Sequence, residues 1–289
     1  MKERIPYLLE IYKAFKTDDI KSRLKHFDII TNSLFTLTQS LFDNKVQIEH
    51  HHAEIENKYF RFGMANHSIK KMLDGNRFLI INKQIEITDL FSVFALTRMQ
   101  IESFAIMYYL FFDKLETIEK DFRYDLYKLH GLQKQNKFPL KFKKNEEKKK
   151  IIEKEIDILM DKIKGYKKFQ KSSEKEQKKY LNPSFAKMES TKDILIKSGI
   201  DSNRINDIWN LYSNHAHGEH ISDRQYNYIY KNKKSTLEES MTVININTIL
   251  TSFLCKLISD EFVGVKKKYE ELPLGDKVQI EIWSNLKNE

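Results

Sequence analysis

Arg98 and Glu102 stand four residues apart inside LFSVFALTRMQIESFAIMYYLFF, residues 90–112, an otherwise apolar stretch. At helical pitch the two share a face, so guanidinium and carboxylate can pair. Desolvating such a pair is costly, which asks for a role beyond stability. Two roles fit: an ion pair that fixes helix register, or a polar pocket inside a helical bundle. The densest group of reactive side chains is Tyr212-Ser213-Asn214-His215-Ala216-His217-Gly218-Glu219-His220. Gly218 can stop a helix there and leave imidazoles at its rim, where His217 can exchange protons near neutral pH. Ser213 with His217 forms half of a nucleophile–base arrangement. His215 and His217 are two apart and face different sides of a helix, so they do not chelate together. Glu49-His50-His51-His52 holds one Glu-x-x-His step, the spacing of di-metal bundles, but no second such motif accompanies it. The flanking Glu54, Glu56 and Asn57 mark that segment as a solvated helix face. No metal and no cofactor is expected.

The elements that must position these residues are helices. Only 8 Gly and 4 Pro in 289 residues are too few for the turns of a sandwich or barrel. Phe and Tyr supply the bulk of a core. Cys255, the single cysteine, excludes an intrachain disulfide framework and sits on an apolar helical face, where it acts as filler. The N-terminus lacks the uninterrupted apolar run of a signal peptide, and charges in the middle of 90–112 argue against a membrane span. A cytoplasmic protein is expected. The formal charge of +9 is compatible with RNA or another polyanion as partner. A homodimer is compatible with the same surface.

Apolar positions Ile20, Leu24, Phe27, Ile30, Leu34, Leu37 and Leu41 recur at three- and four-residue steps and predict a helix capped by Asp18 or Asp19. A third helix is expected over 46–73, stopped at Asp74-Gly75. Residues 77–87 read as a short extended piece or a connector. Thr88 or Asp89 then caps the central apolar helix, and 115–135 returns before Pro139. Residues 141–179 are dominated by Lys and Glu around a thin seam of Ile151, Ile152, Ile156, Leu159, Met160 and Ile163. That pattern predicts a charged helical hairpin projecting from the body. Asp201 or Ser202 caps a helix over 203–217, residues 219–234 form a polar, Tyr-rich loop with a helical turn, and 238–269 and 276–286 close the chain. The expected fold is all-α: one domain over 1–289, a bundle of long antiparallel helices with 141–179 as a charged insertion.

Arginine followed by histidine after four to six residues is the signature of HEPN-type ribonucleases, and Arg61/His67 and Arg123/His130 both match it. No glycine-rich phosphate loop, Cys-x-x-Cys pair, Gly-x-Ser-x-Gly elbow or kinase signature is present. The order Arg98-Met-Gln-Ile-Glu102, then Phe122-Arg123-Tyr124, then Tyr212-Ser213-x-x-x-His217-Gly218 resembles a widespread uncharacterised family of bacterial all-helical proteins. That resemblance spans about residues 90–218 and implies one polar pocket holding Arg98, Glu102, Ser213 and His217. Likeness to HEPN proteins is by analogy only. Two functions follow as expectations. One is a HEPN-like, metal-independent ribonuclease or nucleic-acid-directed effector in bacterial stress or phage defence. His217 is its acid/base, Arg98 or Arg123 neutralises phosphate, Glu102 orients a basic partner, and Ser213 and His130 complete the candidate set. The other is a non-catalytic helical sensor or scaffold built on a buried Arg/Glu/His network.

Overall fold

Asp19 accepts hydrogen bonds from the backbone N–H groups of Lys21 and Ser22 and so starts the helix that the apolar stripe predicts. In the computed structural model, which describes residues 2–17, 19–138, 144–200, 202–217 and 219–285, the chain is all-α apart from one exposed hairpin. Expectations placed on Asp18, Pro139, Lys141, Asp201 and Gly218 lie outside the described residues. In chain order the helices are α1 (Ile5–Lys16), α2 (Ile20–Asp43), α3 (Ile55–Leu73), α4 (Leu90–Met107), α5 (Thr117–Asn136), α6 (Lys144–Gly165) and α7 (Lys167–Lys171). They continue as α8 (Glu174–Leu181), α9 (Thr191–Ser198), α10 (Ser202–His217), α11 (His220–Lys231), α12 (Lys233–Glu261), α13 (Val263–Glu271) and α14 (Leu274–Asn285). A 3₁₀ turn covers His50–His52, and a π turn, Tyr108–Phe112, follows α4 directly. Between α3 and α4, β1 (Asn76–Ile80) pairs antiparallel with β2 (Lys83–Ile87). Ile81 and Asn82, at φ 48° and 64°, make the two-residue left-handed turn that matches strand twist.

Contacts sort the chain into two compact units. The first comprises residues 1–47, 54–107 and 191–289. Within it α12 lies along α2, α3 packs on α2 and α4, and α10 packs on α4. Leu24, Phe27, Leu90, Val93, Phe94, Tyr212, Val243 and Ile244 form one buried cluster. A polar chain threads this apolar interior. Gln100 donates to the Phe62 carbonyl at 2.9 Å and to Asn66 Oδ1 at 2.6 Å, and Asn66 donates to Thr251 Oγ1 at 2.8 Å. Asn247 donates to Thr97 Oγ1 at 3.0 Å. Each of these bonds joins different helices, which fixes their axial register against sliding. α4 with its π turn and α12 are each long and apolar enough to cross a membrane; about half and two-thirds of their most apolar windows are buried in the protein.

The second unit comprises residues 48–53 and 108–190. Its core is Phe122, Leu126 and Leu129 of α5 against Leu159 and Ile163 of α6 and Phe169 of α7. The C-terminal part of the thin seam, Leu159 and Ile163 with Ile156 and Met160 partly buried beside them, is therefore packed on α5, while Ile151 at its start is exposed. Three other expectations change. The helix expected over 46–73 begins only at Ile55, since His50–His52 are held by Asp121 and Asp125 of α5 within the second unit. Most of residues 219–234 is helical, as α11 and the start of α12, with the Tyr230 ring stacked on Phe91 and the Tyr226 ring tilted against it. The closing helix breaks at Phe262, whose backbone is extended (φ −118°, ψ 118°).

Candidate functional site

Arg98 and Glu102 do share a face of α4, with Nη2 3.7 Å from Oε2. Arg98 Nε donates to Ser213 Oγ across to α10 at 2.8 Å, and the guanidinium lies over Trp209, 5.5 Å from the ring centroid. Ser213 in turn donates its hydroxyl to the Trp209 carbonyl at 2.8 Å. Its proton is committed to backbone and its oxygen to Arg98, which leaves a locking hydrogen bond and no activated nucleophile. His217 does not join them. It is exposed at the last position of α10, and among the described residues no hydrogen bond or ion pair links it to Arg98 or Glu102. The expected four-residue pocket is thus a three-residue clamp between α4 and α10. His215 is the histidine that turns inward, its ring 5.0 Å from Phe91 and 4.8 Å from Phe94, and burial lowers its pKa.

Arg123 and His130 lie on one face of α5 in the second unit and make separate contacts. Arg123 is buried, with Nη1 2.7 Å from Asp113 Oδ2, Nη2 2.6 Å from Glu189 Oε1, and the guanidinium 4.3 Å above the Tyr109 ring. Two carboxylates at this distance neutralise the cation, so it has no charge to spare for a phosphate. Burial pushes the Tyr109 hydroxyl up to about 12, against the pull of Arg123. His130 is buried one turn beyond Leu126, and burial lowers its pKa. The two residues are a helix-packing pair and an ion cluster, not one arginine–histidine site.

The richest constellation in the second unit is one the sequence reading set aside. His51 and His52 are buried, at 0% and 2% exposure, not on a solvated face. Asp121 accepts from both the His51 backbone N–H at 3.2 Å and Nδ1 at 2.8 Å. The His51 and His52 rings are 4.0 Å apart. Burial first, then the neighbouring His51, pushes the His52 pKa down to about 3, so this ring is neutral near pH 7. On the other side His50 Nε2 lies 2.7 Å from Asp125 Oδ1 and 2.8 Å from Lys162 Nζ, so it can donate to the carboxylate or accept from the ammonium but not both at once. Tyr166 donates to Asp125 Oδ2 at 2.7 Å, and burial together with that carboxylate raises the phenol pKa. The signal for this cluster was Asp121 and Asp125, four apart on the face of α5 that also carries Phe122 and Leu129 at its margin.

No family model, no curated protein and no solved structure matches this chain.

Proposed function

We propose that the protein is a helical scaffold or sensor that engages RNA or a similar polyanion through its second unit. The observation that carries this reading is where the charge lies. Residues 48–53 and 108–190 hold 22 of the 50 Lys and Arg against 15 of the 41 Asp and Glu, a net +7 of the chain's +9 in fewer than a third of its residues. Lys148, Lys150, Lys154, Lys164, Lys167, Lys171, Lys175 and Lys179 are all exposed. A polyanion that neutralises several of them gains the entropy of the counterions it releases. A pocket of about 400 Å³ in the same unit is lined by Tyr109, Tyr180, Phe185, Lys179, Lys187 and Asn182, with Phe185 78% exposed. Aromatic faces beside ammonium groups suit a stacked base with its phosphate alongside.

Binding of a single-stranded 20-mer RNA should weaken steeply with salt, and Lys148→Gln/Lys150→Gln/Lys154→Gln should reduce the salt slope. Phe185→Ala should lower affinity by about tenfold, the scale of one base–aromatic stack. Binding that is absent, or insensitive to both substitutions, would overturn the proposal. A ribonuclease effector is the second reading, favoured by the His50–Asp125 contact and its neighbouring Lys162. RNA cleavage by wild-type protein in chelator would move the argument to it, and His50→Ala against His217→Ala would say which histidine acts.

A further inference from the structure

We propose that Glu49, His51 and His52 form a binding site for a divalent transition metal of the Zn²⁺ class. One donor atom from each residue lies within 4.8 Å of those of the other two; Glu49 Oε2 lies 3.6 Å from His51 Nδ1, the atom that Asp121 also holds, and rotates to meet an ion on Nε2. The 3₁₀ turn is what allows consecutive residues to serve one ion, since it holds the two imidazole rings 4.0 Å apart in the protein interior. Glu49 precedes the turn with extended backbone, and its side chain is 55% exposed. It can rotate onto an ion that the two fixed imidazoles hold, and it leaves that ion a route from solvent.

Asp121 supports the site from the other side of the His51 ring. Its carboxylate holds the His51 ring through Nδ1–H, the carboxylate–histidine arrangement that orients metal ligands. In that tautomer His51 Nε2 presents a lone pair, and this atom is buried without a hydrogen-bond partner. A buried acceptor with no donor is an unfavourable feature that an ion removes. Should Nδ1 ligate instead, Asp121 becomes a fourth ligand in place of an orienting group; the residues involved are the same. Two neutral imidazoles with Glu49 and Asp121 bring two negative charges to a divalent ion. Imidazole with carboxylate is a borderline donor set that selects Zn²⁺, Fe²⁺, Co²⁺ or Ni²⁺ over Mg²⁺ and Ca²⁺. Three protein ligands leave a position for water.

The full chain, stripped with chelator and dialysed, should take up one equivalent of Co²⁺ with a visible absorption band that Zn²⁺ displaces and Mg²⁺ does not. Glu49→Gln alters an exposed side chain, so it should keep the wild-type melting curve while weakening Co²⁺ affinity at least tenfold. Asp121→Asn should weaken it by ten- to a hundredfold. His217→Ala/His220→Ala, both exposed on or beside α10, should bind as wild type does. Absence of the Co²⁺ band, or a band that survives Glu49→Gln and Asp121→Asn and is lost in His217→Ala/His220→Ala, would overturn the assignment.

Discussion

Arg98 on α4 and Ser213 on α10 are tied by a 2.8 Å hydrogen bond, and the Ser213 hydroxyl donates in turn to the Trp209 carbonyl one turn earlier on its helix. The interaction spans 115 residues of sequence and makes the charged pair of α4 a fastener between two helices. Hydrogen bonds to a charged group contribute about 1.5–3 kcal/mol. Ser213→Ala should therefore lower unfolding free energy by about 2 kcal/mol, with unchanged denaturant m-value in urea titration. Arg98→Met, which removes the charge and keeps the stem, should cost about the same. A double variant that costs no more than either single would show the coupling.

Asn66 bonds outward to Thr251 and accepts from Gln100, in a region with no exposure for any of the three. Asn66→Ala would leave one N–H of the Gln100 amide without an acceptor, would remove the donor to Thr251, whose hydroxyl keeps its bond to the Asn247 carbonyl, and would open a cavity in the interior. A stranded buried N–H costs about 1–3 kcal/mol, and the lost hydrogen bonds and the cavity add to it. We expect a loss of about 3–5 kcal/mol by chemical denaturation, against under about 1 kcal/mol for exposed Asn227→Ala, which serves as the control.

The helical stripe of α2 was legible because its period is local: Leu24, Phe27, Ile30, Leu34, Leu37 and Leu41 are all buried as the spacing requires. The Arg98–Glu102 pair was legible for the same reason. Its partner was not, since a histidine at the end of a helix and a serine one turn earlier look equally able to meet an arginine in another helix. His51 and His52 were misread because their flanks are charged, while Asp121, which holds the buried His51 ring, lies 70 residues further on. Local composition carries no trace of that pairing. The two-unit organisation was hidden in the same way, because residues 48–53 join the second unit from within the first unit's sequence.

Acid should weaken the fold in a definite window. His26 and His215 both have pKa values lowered by burial from the ordinary 6.5. The unfolded chain then binds protons that the folded chain refuses. Their contribution is present above about pH 6.5 and is lost as pH falls below it toward the folded values, by at most about 1.4 kcal/mol per pH unit for each histidine. Melting temperature should be flat from pH 8 to 7 and fall from 6.5 to 5. His26 is buried with neither ring nitrogen hydrogen-bonded among the described residues. His26→Leu should flatten part of this slope and raise stability at pH 5; an unchanged slope would mean that other groups dominate.

The lysine-rich segment offers the clearest test of how the second unit is held. Leu159 and Ile163 of α6 are buried against Phe122, Leu126 and Leu129 of α5, so α6 supplies two of the six buried residues of that cluster despite its charged composition. Truncating a buried Leu or Ile to Ala costs about 2–5 kcal/mol. Leu159→Ala/Ile163→Ala should open the second unit while the first unit's core of Leu24, Phe27, Phe94 and Val243, which includes none of these residues, is retained. Hydrogen exchange resolved by peptide should then show loss of protection across α5 and α6 with α2 and α12 unchanged. Replacing exposed Lys150, Lys154 and Lys164 by Gln should change neither, because these side chains bury nothing. Loss of protection in α2 and α12 as well would mean that the two units fold as one cooperative body. Retained protection in α5 would mean that the apolar seam of α6 is dispensable and the segment is a solvated excursion after all.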